Sequence, residues 1–506
     1  MVREETAVTV ARSRKYIAVD LGAASGRVML GSLSDELLEL EEIHRFANGP
    51  VEQDNSLRWP FENILREVKT GVGKAIHQAG GDVAGIAVDS WGVDFGLLGE
   101  DGRLLERPYH YRDGRTNGMM EKAFELMPKR QIYDCTGIQF MQINTVYQLL
   151  AMRLADSKVL NEARKLLFIA DLVAYHLCGE SFAEYSLAST SQLMNMRTGC
   201  WVEEVFEGLS LPIEIMPEIV SPGTVVGKLT KGVARELGCK RIPVIAAASH
   251  DTAAAVAAIP ATGGNWAYNS CGTWSLIGLE VPHPVINDKT FGLEFTNEGG
   301  VNDTIRLLKN MMGLWMIQEC KKQWENEGTE LSYSQLTEMA AEAEPFAGCI
   351  ADVEYGEFHR PGDMVRKIND YLRGSGQKPV DDKGQLVRVI LESLALRSRQ
   401  IFEWLEEITG STVDVVHMVG GGIKNRLLCQ FTADASGKTV VAGPVEATAA
   451  GNVITQAIAT GQLSSLQQAR QIIEKSFKLT TYRPKETQGW DGRFGACRGG
   501  GGLGGD

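Results

Sequence analysis

An α/β fold in two related halves is predicted for this chain on three grounds. Apolar, β-rich runs alternate with segments of helical periodicity from end to end. The pattern strand, short polar glycine turn, strand occurs at residues 16–30 and again at 266–279. The length of 506 residues, with 44% apolar and 23% charged side chains, is that of an ordinary globular chain able to bury several cores.

The elements follow in order. Residues 16–20 read as a strand, Leu21-Gly22-Ala23-Ala24-Ser25-Gly26 as a turn and 27–30 as the returning strand. A third strand is expected at 37–46, a helix at 63–79, and two buried strands within 83–98 around Ser90-Trp91-Gly92. Helices should fill much of 116–196. A buried strand at 242–248 leads into an Ala-rich helix at 252–258. The Pro-Ala-Thr-Gly-Gly stretch at 260–264 marks a domain boundary. Beyond it come strands at 266–269 and 274–279, long helices at 304–325 and 385–409, and a strand at 413–419. A glycine turn, a helix at 425–436, a strand at 438–442 and a helix at 446–460 follow. Six of the nine residues from Arg498 onward are Gly, too little apolar surface to order a segment. The predicted division is an N-terminal extension 1–14, a first domain 15–260, a second domain 261–492 and a disordered tail 493–506.

Charge and cysteines narrow the function. Lys and Arg number 51 against 64 Asp and Glu, a net charge of −13. That opposes non-specific binding to nucleic acid or an anionic membrane. It leaves room for a phosphate held locally by backbone N–H groups. The nine cysteines are scattered, odd in number and without a CxxC pair, which argues against a zinc site or disulfide framework. They are expected to be mostly buried small hydrophobes in a reducing compartment. The first fifteen residues are charged and lack the apolar core of a signal peptide. The apolar run 243–261 is interrupted by Ser249-His250-Asp251, so it reads as strand plus helix rather than a membrane span. A soluble cytoplasmic protein is expected.

Four motifs carry candidate chemistry. The turn from Asp20 to Arg27 is either a plain hairpin or an anion nest, with Asp20 placed to hold Mg²⁺ through water. Ser270-Cys271-Gly272-Thr273 offers a hydroxyl beside a glycine turn and repeats that choice in the second half. Two such turns could close on one polyphosphate. In Ser249-His250-Asp251-Thr252, Asp251 is either a helix cap or a general base. Gly420-Gly421-Gly422 opens a helix; it is a helix-initiating loop or bare backbone for a flat adenosine. A dinucleotide fingerprint fails there, because Asn425 stands where the third Gly is required. Met311, Met312 and Met316 are expected in the core of the 304–325 helix. Asn310 and Gln318 interrupt that helix, eight residues and so ~12 Å apart along it.

Taken together these motifs resemble the FGGY carbohydrate kinases of the sugar-kinase/actin/heat-shock ATPase superfamily, in the branch that acts on glycerol, xylulose and rhamnulose. The strings VDLGAASGRVML (19–30), TNEGG (296–300), VGGGIKN (419–425) and EATAAGN (446–452) carry the general likeness. IHRF (43–46), SWGVDF (90–95), YRDGRT (111–116) and SHDTA (249–253) with LKNMMGLW (308–315) are similar to the members that act on L-rhamnulose. The likeness spans roughly 15–492. It implies two ribonuclease-H-like domains of the actin-like ATPase type, with the active site in the cleft between them. Ala23, Ala24, Ser25, Gly26 and Arg27 match the family's first phosphate loop. Thr273, Gln318 and Gly420, Gly421 and Gly422 match ATP contacts. Gly92, His250, Asp251, Thr252 and Asn310 match sugar contacts, Asp251 the catalytic base, and Asp20 the aspartate near Mg²⁺. The implied reaction is ATP- and Mg²⁺-dependent phosphorylation of L-rhamnulose on its C1 hydroxyl. Alternatives are another ketose or polyol kinase of the branch (fuculose, xylulose, glycerol), or a non-catalytic ATP-binding protein of the actin kind. The sequence leaves the oligomeric state open.

Overall fold

A computed structural model describes residues 13–261 and 263–499. Thirteen strands form two sheets. The first contains β1 (Arg14–Leu21), β2 (Ser25–Leu33), β3 (Leu38–Ala47), β4 (Gly85–Ser90), β5 (Thr224–Lys228) and β6 (Pro243–Ala246), in the order β3-β2-β1-β4-β6-β5. The second contains β7 (Trp266–Cys271), β8 (Trp274–Val281), β9 (Thr296–Gly299), β10 (Ile305–Met312), β11 (Val415–Val419), β12 (Thr439–Ala442) and β13 (Thr480–Tyr482). Its order is β9-β10-β8-β7-β11-β12-β13. Leaving aside the extra edge strand β9, and except that β5 precedes its neighbour β6 in the chain whereas β13 follows β12, the two orders are the same. So are the directions: β1–β2–β3 and β7–β8–β10 are antiparallel, β1–β4–β6 and β7–β11–β12 are parallel, and β5 and β13 close each sheet antiparallel. The repeated hairpin in the sequence is therefore the visible part of a repeated half.

The helices that matter here are α1 (Phe61–Gln78), α2 (Asp251–Ala257), α3 (Trp315–Asn326), α4 (Lys383–Thr409), α5 (Arg426–Ser436), α6 (Ala447–Ala459), α7 (Leu466–Ser476) and α8 (Gln488–Gly499). Side chains alternate across a strand, and this sorts the cores. Ile17, Val19 and Leu21 of β1 join Ile64, Val68 and Val72 of α1 in an outer core. Tyr16 and Ala18 face the other way, into a middle core with the Ala-rich helices α2 and α6. Asp20 shares their parity. In the second sheet Ala267, Cys271, Val416 and Met418 face an outer core with α4, while Tyr268 and Val419 face the middle core.

Two helices thus lie between two sheets, and small residues let them meet. A Cβ on Gly451 would sit 1.7 Å from the Ala254 carbonyl oxygen, so only glycine permits this crossing. Helix α6 is bound to the first sheet, although it follows the second in sequence. Gln456 donates to the Ile17 carbonyl (3.0 Å) and Gln462 to that of Leu33 (2.8 Å). Ser476, at the end of α7, accepts from the Leu38 N–H at 2.8 Å.

Several expectations need correction. The 304–325 segment is not one helix: it is the buried strand β10, a turn at Gly313, and then α3. Its Leu/Met run is buried on both faces, where strand and helix patterns cannot be told apart. Met311, Met312 and Met316 are in the core as expected. The tail expected to begin at 493 is helical as far as Gly499, with Phe494 buried, and its residues 500–506 lie outside the described residues. Residues 1–12 of the expected N-terminal extension do so too. A disulfide joins Cys349 to Cys497, where the scattered cysteines argued only against a disulfide framework, and ties α8 to the second half. Proximity of two cysteines separated by 148 positions leaves no mark in local sequence. No helix among the described residues is long and apolar enough to cross a membrane.

Candidate active site

The carboxyl ends of the central strands carry the first cluster. Register pairs Asp20 of β1 with Asp89 of β4, both on the side of α6. Arg27, returning on β2, forms ion pairs with Asp20 and with Glu446 at the start of α6. Asp89 is fully buried; its Oδ2 accepts from Asn452 Nδ2 at 2.6 Å and its Oδ1 has no partner. Burial, opposed by the Arg27 guanidinium, raises the Asp20 carboxyl above the usual range; the negative charge of Asp251 adds to the rise. Burial and then the Asp20 charge push Asp89 well up, with a further contribution from Asp251. Asp20, Asp89, Asp251 and Glu446 therefore share one electrostatic neighbourhood.

Asp251 opens α2. The residue capping the helix is His250, and Asp251 makes no side-chain cap to a backbone N–H, so the cap alternative falls away. Its Oδ1 accepts from the Thr252 hydroxyl at 3.1 Å and lies 3.5 Å from His250 Nε2. The turn before it is pinned by buried side chains: Ser249 N–H donates to Glu184 (3.1 Å) and His250 N–H to Ser186 Oγ (3.1 Å). Ser90 N–H donates to the Ser249 carbonyl at 2.8 Å, which carries Gly92 to the same rim. Val93 holds φ of +69°, strained for a β-branched residue, with its N–H on Thr190 and its carbonyl on Thr145. Asp94 accepts from both Trp59 and Trp91 indoles and from Gln148.

The second cluster lies at the end of β7. Thr273 Oγ1 donates to Gln318 Oε1 at 3.1 Å, from the first turns of α3. Gly420 has φ of +85°, and a Cβ there would meet the Cys271 carbonyl at 2.8 Å. A Cβ on Gly422 would meet the Cys271 sulfur, whereas Gly421 has open space around it. The turn after β7, the glycine loop after β11 and the start of α3 thus form one cradle of backbone and neutral polar groups.

Asn310 belongs to β10, so it does not share a helix with Gln318 as expected. Its N–H and Nδ2 donate to Gln139 at 3.1 and 3.2 Å. It also supports Glu298 of β9, whose carboxylate pairs with the fully buried Arg306 of β10 at 3.0 Å. His250 Nδ1 lies 3.4 Å from Glu298. The expected sugar contacts from both halves, His250 and Asn310, therefore converge on one carboxylate. Gly22, Ala23 and Ala24 form the turn between β1 and β2, closed by a Gly22 N–H bond to the carbonyl of Ser25, the first residue of β2, at 2.9 Å. An open groove of about 930 Å³ on the outer side of α1 is lined by none of these residues.

Sequence reasoning missed Asp89, Asn452, Glu298, Arg306, Glu446 and Glu184. Each is an ordinary polar residue until its partner, often hundreds of positions away, is known.

Two sheets of one core topology, with charged and neutral turns at the ends of their first strands, make a duplicated α/β fold of the actin-like ATPase type. The chain belongs to the FGGY family of carbohydrate kinases. The family's N-terminal domain matches residues 15–257 and its C-terminal domain residues 267–460. Among curated relatives, the rhamnulokinase of Bacteroides thetaiotaomicron is 43% identical, over 95% of this chain and 98% of that protein. The rhamnulokinase of Bacillus subtilis is 38% identical, over 93% and 96%. Solved structures share the fold: a gluconate kinase from Lactobacillus acidophilus (TM-score 0.80, 16% identity, 96% and 97% of the two chains) and an ADP-bound Plasmodium falciparum glycerol kinase (TM-score 0.74, 14% identity, 96% and 97%).

Proposed function

We propose that this chain is a cytoplasmic kinase that transfers the γ-phosphoryl group of ATP to the C1 hydroxyl of L-rhamnulose. The observation that carries the reading is Asp251, a carboxylate at a helix N-terminus beside His250, in a chain 43% identical to a rhamnulokinase. In the proposed division, residues 15–260 supply most of the sugar site, the first phosphate loop and the base, and 261–492 the nucleotide site, with Asn310 reaching the sugar from that half.

Asp251 accepts the proton of the C1 hydroxyl as that oxygen forms its bond to the γ-phosphorus. The bond from phosphorus to the β–γ bridging oxygen breaks, and ADP leaves. Gly92, His250, Thr252 and Asn310 hold the sugar in line. Ala23, Ala24, Ser25, Gly26 and Arg27 receive the phosphates from one side, and Thr273, Gln318 and Gly420, Gly421 and Gly422 hold the nucleotide from the other. Little covalent work falls to the protein in such a transfer; positioning and charge stabilisation supply most of the acceleration. The oxygen donors of Asp20 and Asp89, one of them unpartnered, fit a hydrated hard cation such as Mg²⁺, which when bound neutralises phosphate charge. Among the described residues no group of three or more His, Cys, Asp or Glu side chains is placed to hold a metal ion.

The test is ADP release by the purified chain over a panel of ketoses and polyols. L-Rhamnulose should give the highest kcat/KM. A preference for xylulose, fuculose or glycerol would replace the substrate, and sugar-independent slow ATP hydrolysis alone would favour the non-catalytic alternative.

A further inference from the structure

One buried ion pair reaches His250 from the other half of the molecule. Arg306 is fully buried on β10. Its Nε donates to the Gly299 carbonyl at 2.9 Å, and its Nη2 lies 3.0 Å from both Glu298 Oε2 and His250 Nδ1. The other imidazole nitrogen, Nε2, lies 3.5 Å from the Asp251 carboxylate. A guanidinium has donors only. A nitrogen that faces it at hydrogen-bond distance must offer a lone pair. Glu298 Oε2 also approaches Nδ1, at 3.4 Å, but the guanidinium is the nearer partner and can only donate, so Nδ1 accepts and the ring proton lies on Nε2, on the side of Asp251.

We propose that Arg306 and Glu298 are positioning residues that fix the tautomer of His250, with Nδ1 bare and Nε2 protonated. The inference rests on the sugar-kinase reading and adds to it. His250 then presents a donor toward Asp251 and the sugar oxygens, and it cannot compete with Asp251 for the hydroxyl proton. Glu298 anchors the guanidinium and also holds Asn310, so one ion pair sets the orientation of two sugar contacts from opposite halves. Despite burial, the Arg306 charge holds the Glu298 carboxyl down at about 2, so the pair is ionised under working conditions. The role resembles that of the carbonyls and carboxylates that orient metal-bound imidazoles, with a cation in place of the acceptor.

The decisive measurement is the ¹⁵N spectrum of the full chain labelled at histidine, with His250→Asn used to assign the signals. Near neutral pH and without substrate, His250 should show an unprotonated Nδ1 and a protonated Nε2. In Arg306→Met the two tautomers should mix. The KM for sugar should rise by about tenfold or more, as expected for loss of a bond to a charged group, with KM for ATP changed less than about twofold. Arg306→Lys should recover part of the loss. If Arg306→Met does not fold, Arg306→Met with Glu298→Leu removes both charges and keeps the test open. A wild-type His250 protonated at Nδ1 overturns the proposal, as does a variant whose sugar and ATP constants rise together. The spectrum needs no turnover, so a wrong substrate and a wrong tautomer are told apart.

Discussion

The two hairpins at the heads of the two sheets share their topology but not their chemistry. The first, at Asp20–Arg27, is ionic: a buried carboxylate, a guanidinium and, across the middle core, Glu446. The second, at Cys271–Trp274, is neutral, with Thr273 donating to the Gln318 amide. Under the proposed mechanism one copy serves the region where charge moves and the other a ligand that only has to stay. The proposed base, Asp251, lies on the ionic side, and Asp20 and Asp89 both feel its charge.

The sharpest way to break this contrast is Asp251→Asn, which keeps the shape and removes the base. Turnover should fall by about 10²–10⁴ with sugar binding little changed; near-normal turnover measured by ADP release would end the assignment. Asp20→Asn should come next, with kcat lower by about 10²–10³, the scale of losing one preorganised charge contact, and ATP affinity by equilibrium fluorescence nearly kept. Thr273→Val on the neutral side should show the opposite pattern. One ordinary hydrogen bond is worth about 1 kcal/mol, so KM for ATP should rise by about fivefold with kcat intact. Equal effects at the two hairpins would dissolve the distinction.

The smallest effect concerns pH. Burial raises Asp94 from 3.8 to about 6, against the pull of Trp59, Gln148 and Trp91 hydrogen bonds. The folded chain therefore holds a proton over a range where the unfolded chain has lost it. Its contribution is fully present below pH 3.8 and is lost as pH rises through about 6, by at most about 3 kcal/mol. Urea midpoints at pH 4.5 and 7 should differ more in the wild type than in Asp94→Asn; identical differences would mean that Asp94 titrates as an ordinary carboxyl.

Much of this architecture could be read from residues alone because local patterns encode it. The hairpin at 16–30 and its echo at 266–279 revealed the repeated half, and the small residues at 447–451 sit where helices cross. What escaped had no local signature. Met311 and Met312 looked helical because a strand buried on both faces loses its alternation. Arg306 and Glu298 are unremarkable charges until β9 and β10 pair and deliver them to His250, 48 and more positions away in sequence. The Cys349–Cys497 link is of the same kind.

Helix α6 carries a consequence for engineering. The chain cannot be cut near residue 260 into two self-sufficient pieces. A fragment ending there would leave the inner face of its sheet bare, since Asn452 and Gln456 reach that face only from the distal portion. The complementary fragment would carry an orphaned Ala-rich helix with no surface to lie on. Produced together, the fragments have matching apolar faces and a glycine-sized notch at position 451 to guide reassembly, which makes this junction a natural place to build a split reporter.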